Sequence, residues 1–131
     1  MLFLFFLYKN QTKLEKLNLT LFEYGLDLPV HEREVQSIAE CLPFDPQFPV
    51  SWLNVDGSHQ AEILEEIGNQ LDIHPLILED ILDPGQRPKL DVLDHYIFIE
   101  INMLLWNQDH ARIEAEQVSM LLGKNYLVTF Q

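Results

Sequence analysis

In the stretch HPLILEDILDPGQRPK, residues 74–89, three carboxylates crowd the end of a short apolar run: Glu79, Asp80 and Asp83. Pro75 suits a first helical position, because the N–H it lacks would have no partner there, and Pro84-Gly85 closes the segment. On the predicted helix Asp80 and Asp83 are three apart and Glu79 and Asp83 four apart, so both pairs are surface neighbours. Like charges at these spacings repel by about 0.2–0.5 kcal/mol per pair, and the negative pole of the helix dipole lies at the same end. A divalent cation would relieve both costs. Oxygen-only ligands suit a hard ion such as Mg²⁺ or Ca²⁺, and Mg²⁺ takes one or two carboxylates while keeping its waters. A solvated acidic helix end has the same spacing, so spacing alone leaves two readings open.

Other chemistries find no support. The histidines, His31, His59, His74, His95 and His110, form no HExxH or HxH pattern, and His74, just before the helix-opening proline, reads as a cap or packing residue. GxSxG, Walker and GxGxxG patterns are missing, and no carboxylate pair is placed across a cleft. With no nucleophile, base or closed ligand set, the chain does not read as an enzyme. Cys41 is the sole cysteine, which rules out an internal disulfide and disfavours a thiolate zinc site. The basic island Gln86-Arg87-Pro88-Lys89 directly follows the acids; it is either an intramolecular counter-charge or a contact with another subunit.

Eight basic residues against 21 acidic ones give a formal charge of -13. Phosphate recognition needs Lys and Arg to displace counterions, so nucleic acid is excluded as a partner, as is a basic-patch dock on an anionic membrane. The opening MLFLFFLYKN is far shorter than the roughly 20 apolar residues of a spanning helix and lacks the features of a signal peptide. It reads as an edge strand or a start-site artefact. No other segment is a transmembrane candidate, and the 131 residues read as a single domain.

The elements that must position the acids follow from periodicity. KLNLTLFEY, residues 16–24, alternates as a strand, and residues 31–42 space Val35, Ile38, Ala39 and Leu42 as one face of a helix. After three prolines, VSWLNVD reads as a buried strand, and Ser58 is the expected cap of a helix over residues 59–71 with Ile63, Leu64, Ile67 and Leu71 inward. Beyond the acidic helix the short spacings predict a β-meander: residues 89–94, 96–106, 112–122 and 126–130. Tyr96, Phe98 and Glu100 share one face of it, and the aromatics Trp52, Phe98, Trp106 and Phe130 read as core. The fold class is α/β, a mixed and largely antiparallel sheet covered by helices as an α/β/α sandwich.

Several short pieces occur in a fixed order: HPL-LEDI (His74 to Ile81), QRPK (Gln86 to Lys89), Tyr96, and the E-EQVS run from Glu114 to Ser119. Together, from about Trp52 to Gln131, they resemble the cytoplasmic N-terminal domain of the CorA family of magnesium and cobalt transport proteins. The resemblance implies a homopentameric membrane channel with this domain on the cytoplasmic side of the cell membrane. The stalk helix, two membrane helices and Gly-Met-Asn pore signature of the family do not occur in these residues. The chain then corresponds to the ion-sensing part, mainly monomeric by itself.

The resemblance further implies that Asp80 binds regulatory Mg²⁺, with Co²⁺ as an alternative, between adjacent subunits. Glu79 contributes to a second nearby ion, and Asp83 adds supporting charge only. Bound ions hold the closed arrangement; their loss lets the acidic interfaces repel and the pore open. A stand-alone acidic binding domain, and the equivalent domain of a zinc-transporting relative, are the competing readings.

Overall fold

The computed structural model describes residues 17–57 and 60–131; the N-terminal apolar run, Ser58 and His59 lie outside the described residues. Seven strands form one sheet: β1 (Asn18–Gly25), β2 (Leu28–Val35), β3 (Val50–Asp56), β4 (Lys89–Val92), β5 (Tyr96–Asn107), β6 (Arg112–Gly123) and β7 (Tyr126–Phe130). Two α-helices, α1 (Ala61–Leu71) and α2 (Pro75–Leu82), stand between β3 and β4. The strand order is β2-β1-β3-β7-β6-β5-β4, antiparallel except for the parallel β3–β7 pair at its middle. The mixed, largely antiparallel sheet and the C-terminal meander are therefore as the periodicity predicts.

One face of the sheet carries the core. Leu19 and Leu21 of β1, Leu53 and Val55 of β3, Val128 and Phe130 of β7, Leu121 of β6, and Tyr96 and Phe98 of β5 are buried together with Leu64, Ile67, Leu78, Ile81 and Leu82 of the helices. Each such side chain contributes about 1.5–3 kcal/mol by leaving water, so this face fixes the register of every strand. The helices pack tightly because Gly68 lacks a side chain: a Cβ there would stand 2.6 Å from Leu78 Cδ1. On the opposite face Phe22 stacks on Trp52 at 4.7 Å, and the Trp52 indole donates to Thr129 Oγ1 at 2.9 Å.

Three expectations are corrected. Residues 31–42 are not a helix: Leu28–Val35 is an edge strand paired with β1, and only Ile38–Glu40 turns, as a 3₁₀ segment. Gly25-Leu26-Asp27 allows the chain to fold back, and β1 would otherwise leave a row of backbone groups unpaired. The charged HERE run blunts the new edge, and Pro29 is tolerated there because an edge strand need not donate outward. The apolar spacing still marks buried positions, since Val35, Ile38 and Leu42 are inside, but Ala39 is exposed.

The second correction concerns α1, which begins at Ala61 with Gln60 as its N-cap and no side-chain capping bond. The third concerns Trp106, which is 61% exposed. Beyond Glu100 on one strand and before Ser119 on the other, β5 and β6 pair only with each other among the described residues. This two-stranded ribbon carries Ile101, Leu104, Leu105, Trp106 and Ile113 exposed, past the reach of the core.

Cys41 is buried beside the 3₁₀ turn, its thiol donating to Ile38 O at 3.3 Å. Burial pushes the thiol up to about 11. Because only the thiolate reacts, native protein is expected to resist iodoacetamide at pH 8 and to be alkylated once unfolded in urea. Rapid native labelling, read by mass spectrometry, would contradict the packed position.

Candidate metal centre

The acids are placed by α2. His74 is its N-cap: Nδ1 accepts from Leu76 N at 3.1 Å, and the His74 backbone N–H donates to the Tyr96 hydroxyl at 3.1 Å. Thus His74 does cap the helix, and it ties the helix start to β5. Ile77, Leu78, Ile81 and Leu82 bury one side of α2, which turns Glu79 and Asp80 to the half-exposed side of its last turn. The spacing paired each of them with Asp83, three and four residues on.

Asp83 is used differently. It is the C-cap, with extended backbone, and its N–H donates to the carbonyls of Glu79 and Asp80. Its carboxylate accepts from Gly85 N at 2.9 Å and from Gln86 Nε2 at 2.8 Å. Asp83 therefore builds the Pro84-Gly85 turn with both oxygens, and its carbonyl accepts from Gln117 Nε2 of β6 at 2.9 Å. This occupancy removes Asp83 from the side-by-side trio that spacing suggested.

Lys89 arrives from the other direction as the first residue of β4, directly opposite Glu100 of β5 and on the same, inward face. Its ammonium lies 2.5 Å from Asp80 Oδ2 and 3.2 Å from Asp91 Oδ2, with Nζ 5.5 Å from the centre of the Phe98 ring. The hydrogen bond to Asp80 is the largest influence raising the lysine's proton affinity. Lys89 is thus an intramolecular counter-charge, one of the two readings open for the basic island. Arg87 of the same island is exposed.

Beneath this pair lies Glu100, only 1% exposed. Ser119 Oγ donates to its Oε1 at 2.8 Å, while Oε2 is buried without a hydrogen-bond partner. Burial pushes the carboxyl up to about 7; the Ser119 hydrogen bond opposes this, and the Asp80 charge adds to it. Gln117, also inward on β6, leaves Oε1 buried and unpartnered. Sequence reasoning missed Glu100, Gln117 and Ser119 as parts of one polar layer. A signal was present, because Glu100 falls in alternation with Tyr96 and Phe98 on the buried face, where a charge is costly.

Among the described residues no group of three or more His, Cys, Asp or Glu side chains converges as a metal cage. The donor chemistry still fits a hard divalent cation as part of a site. Asp80 and Glu79 offer carboxylates at the rim, and the orphaned Glu100 oxygen leaves the layer beneath them rich in acceptors. Remaining ligands would be water or another chain.

Comparison with known proteins identifies the family and the fold. A family described as "CorA-like Mg2+ transporter protein" matches residues 49–131. The cobalt/magnesium transport protein CorA of Thermotoga maritima is 32% identical over 124 residues, covering 95% of this chain and 34% of that protein. The soluble domain of CorA from Methanocaldococcus jannaschii superposes with a TM-score of 0.60 at 13% identity, over 86% of this chain and 39% of the other. The complete CorA magnesium transporter of the same organism gives 0.61 at 15% identity, over 86% and 31%. These two likenesses concern the fold, which is that of the CorA soluble domain. The chain spans about a third of the length of these proteins, and no helix among the described residues is long and apolar enough to cross a membrane. In sequence and in fold, this chain belongs to the CorA family.

Proposed function

We propose that the chain is the divalent-cation-sensing domain of a CorA-type magnesium or cobalt transporter, standing on the cytoplasmic side of the membrane. Mg²⁺, or Co²⁺ in its place, binds at Asp80 with Glu79 beside it, and the site is completed by a neighbouring subunit of a homopentamer. The observation that carries this reading is the position of Asp80: in the last turn of α2, half-exposed, with an incomplete oxygen set around it. A divalent cation between such a carboxylate and an acidic group on another chain would turn their repulsion into attraction.

The mechanism follows from charge. With a formal charge of -13 per chain, adjacent copies repel. A divalent ion shared across the contact holds them together and favours one arrangement of the assembly by its differential affinity. When the ion leaves, repulsion separates the copies and the conducting part opens. An oxygen-only set favours Mg²⁺ or Co²⁺ over zinc, which prefers nitrogen and sulfur donors.

This chain alone holds half a site, so Mg²⁺ is expected to bind weakly, at roughly millimolar concentration. Amide chemical shifts followed by NMR during a Mg²⁺ titration should move around residues 79–89 and stop moving in Asp80→Asn. Micromolar binding that survives Asp80→Asn would place the site elsewhere and overturn the reading.

A further inference from the structure

We propose that Lys89 is a tethered competitor for the divalent ion, occupying Asp80 in the ion-free protein and stepping aside to Asp91 when the ion binds. The inference rests on the reading of Asp80 as the cation ligand and adds how that ligand is controlled.

Three observations carry it. Lys89 Nζ already sits at Asp80 Oδ2, so an arriving cation must displace a positive charge to reach that oxygen. The displaced ammonium has somewhere to go, because Asp91 Oδ2 is 3.2 Å from Nζ on the same face of β4. Its direct cross-strand neighbour, Glu100, moreover keeps a buried oxygen without a partner. In its present position the ammonium lies 5.5 Å from the centre of the Phe98 ring, whose π face attracts it. Lysine suits such a role: its ammonium is a point charge on a flexible stem, free of the fixed fork that would commit an arginine to one partner.

The tether decides which ions can open the pair. A side chain anchored within reach acts as a cation at high effective concentration, so a freely dissolved monovalent ion competes poorly. A divalent ion doubles the Coulomb attraction at Asp80 and can displace it. Lys89 thereby sets the threshold at which the site responds and rejects Na⁺ and K⁺.

The test is a Mg²⁺ titration at constant ionic strength, followed by NMR, on the wild type, Lys89→Met, Lys89→Arg and Asp80→Asn. In the wild type the Lys89 Nζ resonance is expected to shift with the same midpoint as the amides around Asp80. Lys89→Met, which removes the competing charge, should bind Mg²⁺ roughly three- to tenfold more tightly. Lys89→Arg keeps the charge and, with its fixed fork held on Asp80, should bind Mg²⁺ no more tightly than the wild type, which separates competition from a loss of packing. If Lys89→Met leaves the affinity unchanged and the Nζ resonance does not respond, while Asp80→Asn abolishes binding, the lysine inference fails and the Asp80 reading stands. If Asp80→Asn binds as the wild type does, the Asp80 reading fails and the lysine inference with it. Should Lys89→Met not fold, the wild-type Nζ response decides by itself.

Discussion

Phe98→Ala is expected to lower the free energy of unfolding by about 3–5 kcal/mol, measured by urea titration. Phe98 is fully buried at the centre of the meander, paired with Asp91 on β4 and with Leu121 on β6. Removing the ring strips its transfer energy and leaves a cavity between sheet and helices that Leu121, Ile81 and Leu82, all fully buried, are too constrained to fill. A domain of this size has about 5–15 kcal/mol to lose in total, so the variant would sit near the edge of folding at ambient temperature. The ring is also the surface over which Lys89 lies, so the Lys89–Asp80 pair should lose order with it. Phe98→Leu, which keeps most of the volume, should retain more than half of the lost stability. A loss below about 1 kcal/mol in Phe98→Ala would mean that the layer beneath the acids is far looser than the packing implies.

The second large effect is a dependence of stability on pH set by Glu100. Its carboxyl is pushed up to about 7 by burial, whereas in the unfolded chain it titrates near its ordinary 4.5. Between those values the folded state holds a proton that the unfolded state has released, so this group makes stability fall as pH rises. Its contribution is fully present below about pH 4.5, is lost progressively through pH 7, and is constant above. The full displacement is worth roughly 3.5 kcal/mol, at about 1.4 kcal/mol for each pH unit, of which roughly 2.5 kcal/mol falls between pH 5 and pH 8. Unfolding free energies measured between pH 5 and pH 8 in the wild type and in Glu100→Gln isolate it from the other titrating groups. The wild type should lose that amount relative to Glu100→Gln across the range. Parallel profiles for the two proteins would show that the carboxyl stays charged, its orphaned oxygen met by solvent or by Lys89.

These predictions concern residues whose importance the sequence carries only in part. The residues around His74-Pro75 and Pro84-Gly85 specify α2 by themselves, because a proline at the first turn and a Pro-Gly break act locally. The meander is equally legible, since alternating residues joined by two- to four-residue turns leave few other pairings. Glu79 and Asp80 both fall on the half-exposed side of α2 because Ile77, Leu78, Ile81 and Leu82 bury the other.

Residues 28–35 fail as a local prediction because an edge strand is chosen by its partner. The HEREV run has no strong alternation of its own, and it becomes β2 only because β1 offers an open row of hydrogen-bonding groups after a tight return at Gly25. Trp106 fails for the converse reason: an aromatic in a strand is core only if something packs over it, and the ribbon outruns both flanking strands.

The family, the helix that bears the acids and the order of the C-terminal strands were determined by the sequence alone, through local propensity and motif order. What Asp80 touches was decided by the tertiary structure. Lys89 is nine residues away in the chain, and Glu100 and Ser119 lie farther still, on two further strands. Only the pairing of β4, β5 and β6 against the end of α2 brings one cation and a buried carboxyl to the same carboxylate, because charges interact through distance in space and not along the chain.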